Sequence, residues 1–242
     1  MVTNDDGFNG PGLRPLIAAM RRLGTVTTCV PHQERSADSH SLTLHKPIRV
    51  HHEAKDLFTL NGSPADCSRF GILEILKGKV DLVVSGINRG YNLGEDVIYS
   101  GTVAAAMEAT LLDIPAIAFS QDPDEFSYRA SAAYAVTLAR QLLRRKLPSG
   151  SFLNVNFPQE TRGKFKGSQA VRLGWRIYSK EVTKRRDPRG GHYYWLAGRS
   201  IEGIPAEGTD VAAVASGRVA LTPLKIDNTD VPLLGMMRSW TL

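Results

Sequence analysis

Asp81-Leu82-Val83-Val84-Ser85-Gly86-Ile87-Asn88-Arg89-Gly90-Tyr91-Asn92-Leu93-Gly94 starts as an unbroken apolar run and ends as a loop rich in glycine and asparagine. A short apolar run without polar alternation predicts a strand buried on both faces, the habit of parallel sheets covered by helices. Downstream, Thr102 to Leu112 is an alanine-rich helical segment, and Ile114 to Ser120 is a further apolar strand closed by Gln121. One strand, one loop, one helix and one strand predict a right-handed crossover unit.

The same rhythm extends in both directions. Val2-Thr3 ends a short strand, Asn4 to Gly12 is turn-rich, and Leu13, Leu16, Ile17, Met20 and Leu23 recur at helical spacing. Thr25 to Val30 predicts a second strand, closed by Pro31 and followed by a polar loop to Ser41. Leu42-Thr43-Leu44, Ile48-Arg49-Val50 and Leu57 to Leu60 predict short strands. Ser63 suits a helix cap, with Pro64 at the first helical position and Asp66 in the first turn. Tyr128 to Arg145 reads as a helix and Phe152 to Phe157 as another strand. The expected fold is α/β: a doubly wound, mostly parallel, Rossmann-like sheet whose ligands sit beyond the carboxyl ends of the strands.

Beyond Pro158 the texture changes to glycine, arginine and short alternating segments. Residues 1–160 are expected to form the α/β catalytic domain, and residues 161–242 hairpin arms around a second small sheet, with a turn-rich tail holding a short helix. Val171 to Tyr178, His192 to Leu196 and Arg218 to Leu221 are the segments read as its strands. Tyr193, Tyr194 and Trp195 on such a hairpin need a surface to pack on, which points to a homo-oligomer.

Composition narrows the function classes. With 42% hydrophobic and 22% charged residues, the chain can bury a substantial core and is not a disordered segment. It has no run of 18 apolar residues and turns acidic at Asp5, so no membrane span or signal peptide is read and a cytoplasmic location is expected. The net charge is +6, but the basic groups Arg21-Arg22, Arg144-Arg145-Lys146 and Lys184-Arg185-Arg186 are scattered. That distribution argues against nucleic acid as a partner and suits a mild attraction for phosphorylated small molecules. Cys29 and Cys67 read as buried free thiols.

Four features carry chemistry. Asp5 and Asp6, directly after the first strand, repel each other and call for a counter-charge, which a hard divalent cation supplies. The Ser85 to Gly94 loop offers backbone N–H groups for an anion and the side chains of Asn88 and Asn92 for a metal or phosphate. Ser100-Gly101-Thr102 opens the alanine-rich helix, where free N–H groups and hydroxyls suit phosphate. The loop Glu34-Arg35-Ser36-Ala37-Asp38-Ser39-His40-Ser41 combines a cation, hydroxyls and a histidine that titrates near neutrality.

Thr3-Asn4-Asp5-Asp6-Gly7 with Pro11-Gly12, Glu34-Arg35-Ser36, Gly62-Ser63-Pro64-Ala65-Asp66-Cys67 and Ser85-Gly86-Ile87-Asn88-Arg89-Gly90 through Gly94, in this order, resemble the SurE family of survival proteins. The likeness continues through Asn154-Val155-Asn156, Asp187-Pro188-Arg189-Gly190, Tyr194-Trp195 and Gly208-Thr209-Asp210. It implies a divalent-metal 5′- and 3′-nucleotidase, with short-chain exopolyphosphatase activity in some members. It implies one Mg²⁺ or Mn²⁺ per subunit on Asp5, Asp6, Ser36 and Asn88, and substrate contacts at Asn92, Ser100, Gly101, Thr102 and Ser39, the last in a mobile loop. Asp6 then serves as a candidate proton acceptor, His40 as a candidate donor to the leaving oxygen, and a homodimer or homotetramer forms through the carboxyl-terminal arms. A nucleotide-binding protein without hydrolysis, an RNA-binding scaffold and an Asp5 nucleophile are the competing readings.

The chain departs from the family pattern in three places. The first strand is short, Asp38-Ser39 brings a charge into the mobile loop, and Tyr91 stands where the family often has proline, expected to relax the loop and turn an aromatic edge toward a base.

Overall fold

The computed structural model describes residues 1–145, 147–178, 181–196 and 203–240. Its strands are β1 (Val2–Thr3), β2 (Thr28–Pro31), β3 (Val50–Ala54), β4 (Leu57–Leu60), β5 (Val83–Arg89), β6 (Ala116–Gln121), β7 (Ser151–Phe157), β8 (Ser168–Ala170), β9 (Trp175–Arg176), β10 (Thr183–Arg186), β11 (His192–Trp195), β12 (Gly203–Ile204) and β13 (Val219–Lys225). The helices are α1 (Leu13–Met20), α2 (Pro64–Phe70), α3 (Asp96–Tyr99), α4 (Gly101–Leu111), α5 (Arg129–Arg144), α6 (Asp210–Ala215) and α7 (Val231–Met237).

Nine strands form one sheet in the order β3-β4-β2-β1-β5-β6-β7-β13-β8. From β4 to β7 all neighbours are parallel, while β3 and β13 pair antiparallel at either side. Chain order runs outward in opposite directions from β1 and β5, so the topological switch point lies between them. In such a sheet the crevice beyond the carboxyl ends at the switch point is where ligands bind. Asp5 and Asp6 follow β1, and Asn88 is the last residue but one of β5.

Helices α1 and α5 cover one face, where Leu13, Leu16, Ala135 and Val136 pack on Val84, Ile117, Phe119 and Val155. Helix α4 covers the other with Val103, Ala106 and Ala109 against Val83, Ala118 and Phe152. Small residues let α4 bury almost its whole circumference. Helix α2 sits beside it and starts as expected: Ser63 accepts from the Asp66 amide while Asp66 accepts from the Ser63 amide.

Three expectations are corrected. Leu42-Thr43-Leu44 is not a strand, because Thr43 is held by Asp66, whose carboxylate accepts from its amide at 2.9 Å and its hydroxyl at 2.6 Å. The strand expected at Ile48 to Val50 starts only at Val50. The segment containing Arg218 to Leu221 is indeed extended, but β13 adds to the large sheet beside β7 and brings β8 with it. Its Pro223 falls past the end of β8, where no ladder bond is lost on that side. Among the described residues, β10 with β11 and β9 with β12 make small separate ladders. The tail does contain a short helix, α7, all of whose residues are exposed. Lys146 of the second basic group lies outside the described residues. Cys29 and Cys67 are free and buried.

Candidate active site

Tight turns wind the loop after β1. The Asn4 amide donates to Gly7 O at 2.9 Å, and Gly10 N to the same oxygen at 3.0 Å. Gly7 takes a positive φ and lies so close to the Gln33 carbonyl that a Cβ would sit 2.7 Å from its carbon. The Arg35 amide donates to Asp5 O at 2.7 Å. Hence the Glu34-Arg35-Ser36 loop lies against the acid pair through main chain alone. Gly12 is required by β5: a Cβ there would overlap the Ile87 carbonyl oxygen.

The helix approach is equally close. Thr102 Oγ1 donates to Asp5 Oδ1, and a Cβ on Gly101 would lie 2.9 Å from Asp5 Cβ and from Pro64 Cγ. Ser100 caps α4 by accepting from Val103 N at 3.1 Å. Asp6 accepts from Arg89 N at 3.3 Å, next to Asn88, whose amide donates to Gly90 O at 2.9 Å and leaves its Oδ1 as the open acceptor. Asp5, Asp6, Asn88, Gly101 and Thr102 are thus brought to one crevice, and Ser36 hangs beside it with its hydroxyl on Glu34 Oε1 at 2.7 Å.

Electrostatics at this crevice are unbalanced. Burial raises the Asp5 carboxyl above the usual range despite the Thr102 hydrogen bond. Burial first and the Asp5 charge second push Asp6 up to about 7. Glu34 adds to the negative field on both, and sequence reasoning gave it no role. Among the described residues neither aspartate makes an ion pair. Two carboxylates, a hydroxyl and an amide oxygen make a hard, oxygen-only donor set, which fits a small divalent cation. Among the described residues no three His, Cys, Asp or Glu side chains gather into an alternative metal cluster.

Three predicted residues have other engagements. Ser39 donates its hydroxyl to Ile98 O at 2.7 Å and its amide to Tyr99 O at 3.1 Å, seating the loop on α3. Asn92 is buried and donates its amide to Ser120 Oγ at 2.7 Å, while Asn154 and Asn156 donate to its carbonyl and Asn156 Oδ1 accepts from its N–H. His40 Nε2 lies 2.7 Å from Glu108 Oε2, two turns along α4 from Thr102. Glu108 is 1% exposed and also accepts from Arg69 at 2.7 Å. Burial opposes its charge, but His40 and Arg69 outweigh it and hold the carboxyl below the usual range. Glu108 escaped the sequence reading, although a lone acid in an alanine-rich helix was the available signal. Tyr91 corrects another expectation: its hydroxyl donates to Asp122 Oδ2 at 2.6 Å, so it ties the loop to the end of β6.

Asp210 anchors the far end of the same loop. Its buried carboxylate accepts from Gly94 N at 2.9 Å and Gly174 N at 2.7 Å. Arg176, paired with Asp96, donates its amide to Glu95, so two further contacts join this loop region to the carboxyl-terminal part.

Fold and site together define a doubly wound α/β protein with an acid pair, an asparagine loop and a helix amino terminus converging at the sheet's switch point. The family model of the survival protein SurE matches residues 1–180. The 5′-nucleotidase SurE of Geobacter sulfurreducens is 46% identical, with 100% of this chain and 93% of that protein covered. The 5′-nucleotidase SurE of Geotalea daltonii is 43% identical across 100% of this chain and 98% of that protein. The crystal structure of the SurE protein from Aquifex aeolicus superposes with a TM-score of 0.86 at 38% identity, covering 98% of this chain and 97% of that one. This chain belongs to the SurE family.

Proposed function

We propose that the chain is a divalent-metal-dependent nucleotidase that hydrolyses nucleoside 5′- and 3′-monophosphates to nucleoside and phosphate. The observation that carries this reading is the adjacent acid pair, which makes no ion pair among the described residues, set against the amino terminus of α4. The names of the relatives support the substrate class. Asp5, Asp6, Ser36 and Asn88 would hold one Mg²⁺ or Mn²⁺. Such an ion supplies Lewis acidity toward a phosphoryl oxygen and lowers the pKa of a bound water.

The chain's own groups do the rest. The first N–H groups of α4, with the Ser100 hydroxyl, bind phosphoryl oxygens and orient the phosphorus, while Thr102 gives both its hydroxyl and its N–H to Asp5. Gly101 lets these donors approach Asp5 without a side chain between them. Asp6 stands beside the attacking position and takes up the water proton. His40 delivers a proton to the leaving nucleoside oxygen once the loop lifts it from Glu108. Asn92, held by Asn154, Asn156 and Ser120, fixes the loop that carries Asn88.

Oligomerisation through residues 161–242 belongs to the same reading. The β10–β11 hairpin and α7 leave Tyr193, Tyr194, Trp195, Leu233, Leu234, Met236 and Met237 exposed. An isolated two-stranded ribbon is marginal in water and gains from a partner surface.

Phosphate release from a panel of nucleoside 5′- and 3′-monophosphates, with Mg²⁺ or Mn²⁺ and with a chelator, tests the activity. Wild type is expected to release phosphate only with metal, and Asp5→Asn to lose about 10²-fold or more in kcat/KM. A folded wild type that binds nucleotide without releasing phosphate would overturn the reading.

A further inference from the structure

Beside the acid pair opens a second cleft, of about 390 Å³, whose walls include Arg35, Asp38, His45, Lys46, Asn61 and Ser63. Two of these walls stand one step from Asp5. Arg35 donates its main-chain amide to Asp5 O at 2.7 Å, and Ser63 precedes Pro64, whose Cγ lies in the close contact at Gly101. The cleft therefore borders the crevice that takes the scissile phosphate.

Its charge is one-sided. Arg35 donates to Asn61 O at 3.0 Å and reaches Asp38 only at 4.0 Å. Among the described residues Lys46 and His45 pair with no carboxylate. Three donor side chains thus face a single acid, an arrangement that attracts an anion rather than a neutral group. A substrate with one phosphate uses the acid pair and the α4 amino terminus and leaves these donors without work.

We propose that this cleft is a subsite for a second phosphoryl group, so that nucleotides carrying two separated phosphates, such as a nucleoside 3′,5′-bisphosphate, are bound better than monophosphates. The inference rests on the nucleotidase reading. Water attacks the phosphorus at the acid pair, the ester P–O bond breaks, the leaving ribose oxygen takes a proton, and the second phosphate stays esterified in the cleft. Asp38 opposes that phosphate and sets a limit on its affinity.

The test compares adenosine 5′-monophosphate with adenosine 3′,5′-bisphosphate in Mn²⁺ for wild type, for the double variant His45→Gln with Lys46→Gln, and for Asp38→Asn. Wild type is expected to show a KM about tenfold lower for the bisphosphate, as two or three charge-assisted bonds at an exposed site supply. The double variant should lose that advantage and keep its monophosphate kinetics, while Asp38→Asn should widen it. Raised ionic strength should shrink the advantage in wild type. Equal KM values in wild type, or an advantage that survives the double variant, would overturn the proposal. Absence of phosphate release from both substrates would instead strike the nucleotidase reading. Calorimetry of the two nucleotides without turnover then decides the cleft alone: a wild-type preference for the bisphosphate lost in the double variant supports it, and equal affinities overturn it.

Discussion

Around Asp5 the tolerance is set by single atoms. A methyl on Gly101 would sit 2.9 Å from Asp5 Cβ and from a proline ring, so Gly101→Ala must push α4 or α2 away. Overpacking of this kind costs about 1–3 kcal/mol, and here it also separates the helix N–H groups from the acid pair. The expected outcome is a folded protein with a modestly lowered Tm and a kcat/KM reduced by about 10²-fold, measured by thermal melts and phosphate release. His40 offers a sharper distinction. If it protonates the leaving oxygen, His40→Asn should slow nucleoside monophosphates by about 10² and p-nitrophenyl phosphate, whose leaving group needs no proton, far less. Equal losses on both substrates would assign His40 to loop anchoring through Glu108.

At the scale of elements, α4 joins the parts of the site. Its first turn meets Asp5, and two turns later Glu108 holds both the loop, through His40, and α2, through Arg69. Because the Glu108 carboxyl is held below its ordinary value of 4.5, its stabilisation is full above that pH and is lost as acid protonates it in the folded chain. Glu108→Gln should therefore cost about 1–3 kcal/mol at pH 7, discounted because Arg69 is half exposed. The gap from wild type should close as the pH falls below 4.5, as denaturant melts across pH would show. This network was not legible in the sequence, since His40 and Glu108 are neighbours only through the fold. By contrast, Val83, Val84, Ile117 and Phe119 announced their strands, because burial on both faces demands continuous apolar runs. Asp5 and Asp6 stood out singly as an adjacent acid pair after a strand, and Asn88 as part of a glycine-rich loop; only the family resemblance grouped them, since the fold alone makes such strand ends share one crevice. Leu42 to Leu44 misled because three residues of alternation carry little register information, and a carboxylate on α2 outcompeted a ladder.

For the whole molecule, the nine-stranded sheet is closed at one edge by chain that sequence texture had assigned to the arms. That texture was real, but pairing partners such as Leu221 with Val155 depend on geometry that composition does not encode. What remains uncovered is apolar: Met236 is 62% exposed and Trp195 is 59% exposed. Light scattering should find a species larger than the 26.5 kDa monomer. Leu233→Asp with Met236→Asp should shift it toward monomer if α7 lies in the contact, whereas an unchanged mass would place the interface on the hairpin or elsewhere.

The position of β1 has a consequence for biogenesis. Although it precedes β2 and β5 in the sequence, it lies between them in the sheet, and Asp5 has its hydroxyl partner on α4. A nascent chain carries both acids well before the strand and helix near residue 100 that hold them have emerged. Domains fold as units while synthesis proceeds at about 5–20 residues per second, so the acids wait several seconds in an unformed chain. On the metal-dependent reading, formation of the acid crevice is thus coupled to completion of the central crossover, and arrested chains ending before Thr102 should show no more Mn²⁺ affinity than an unstructured acidic peptide.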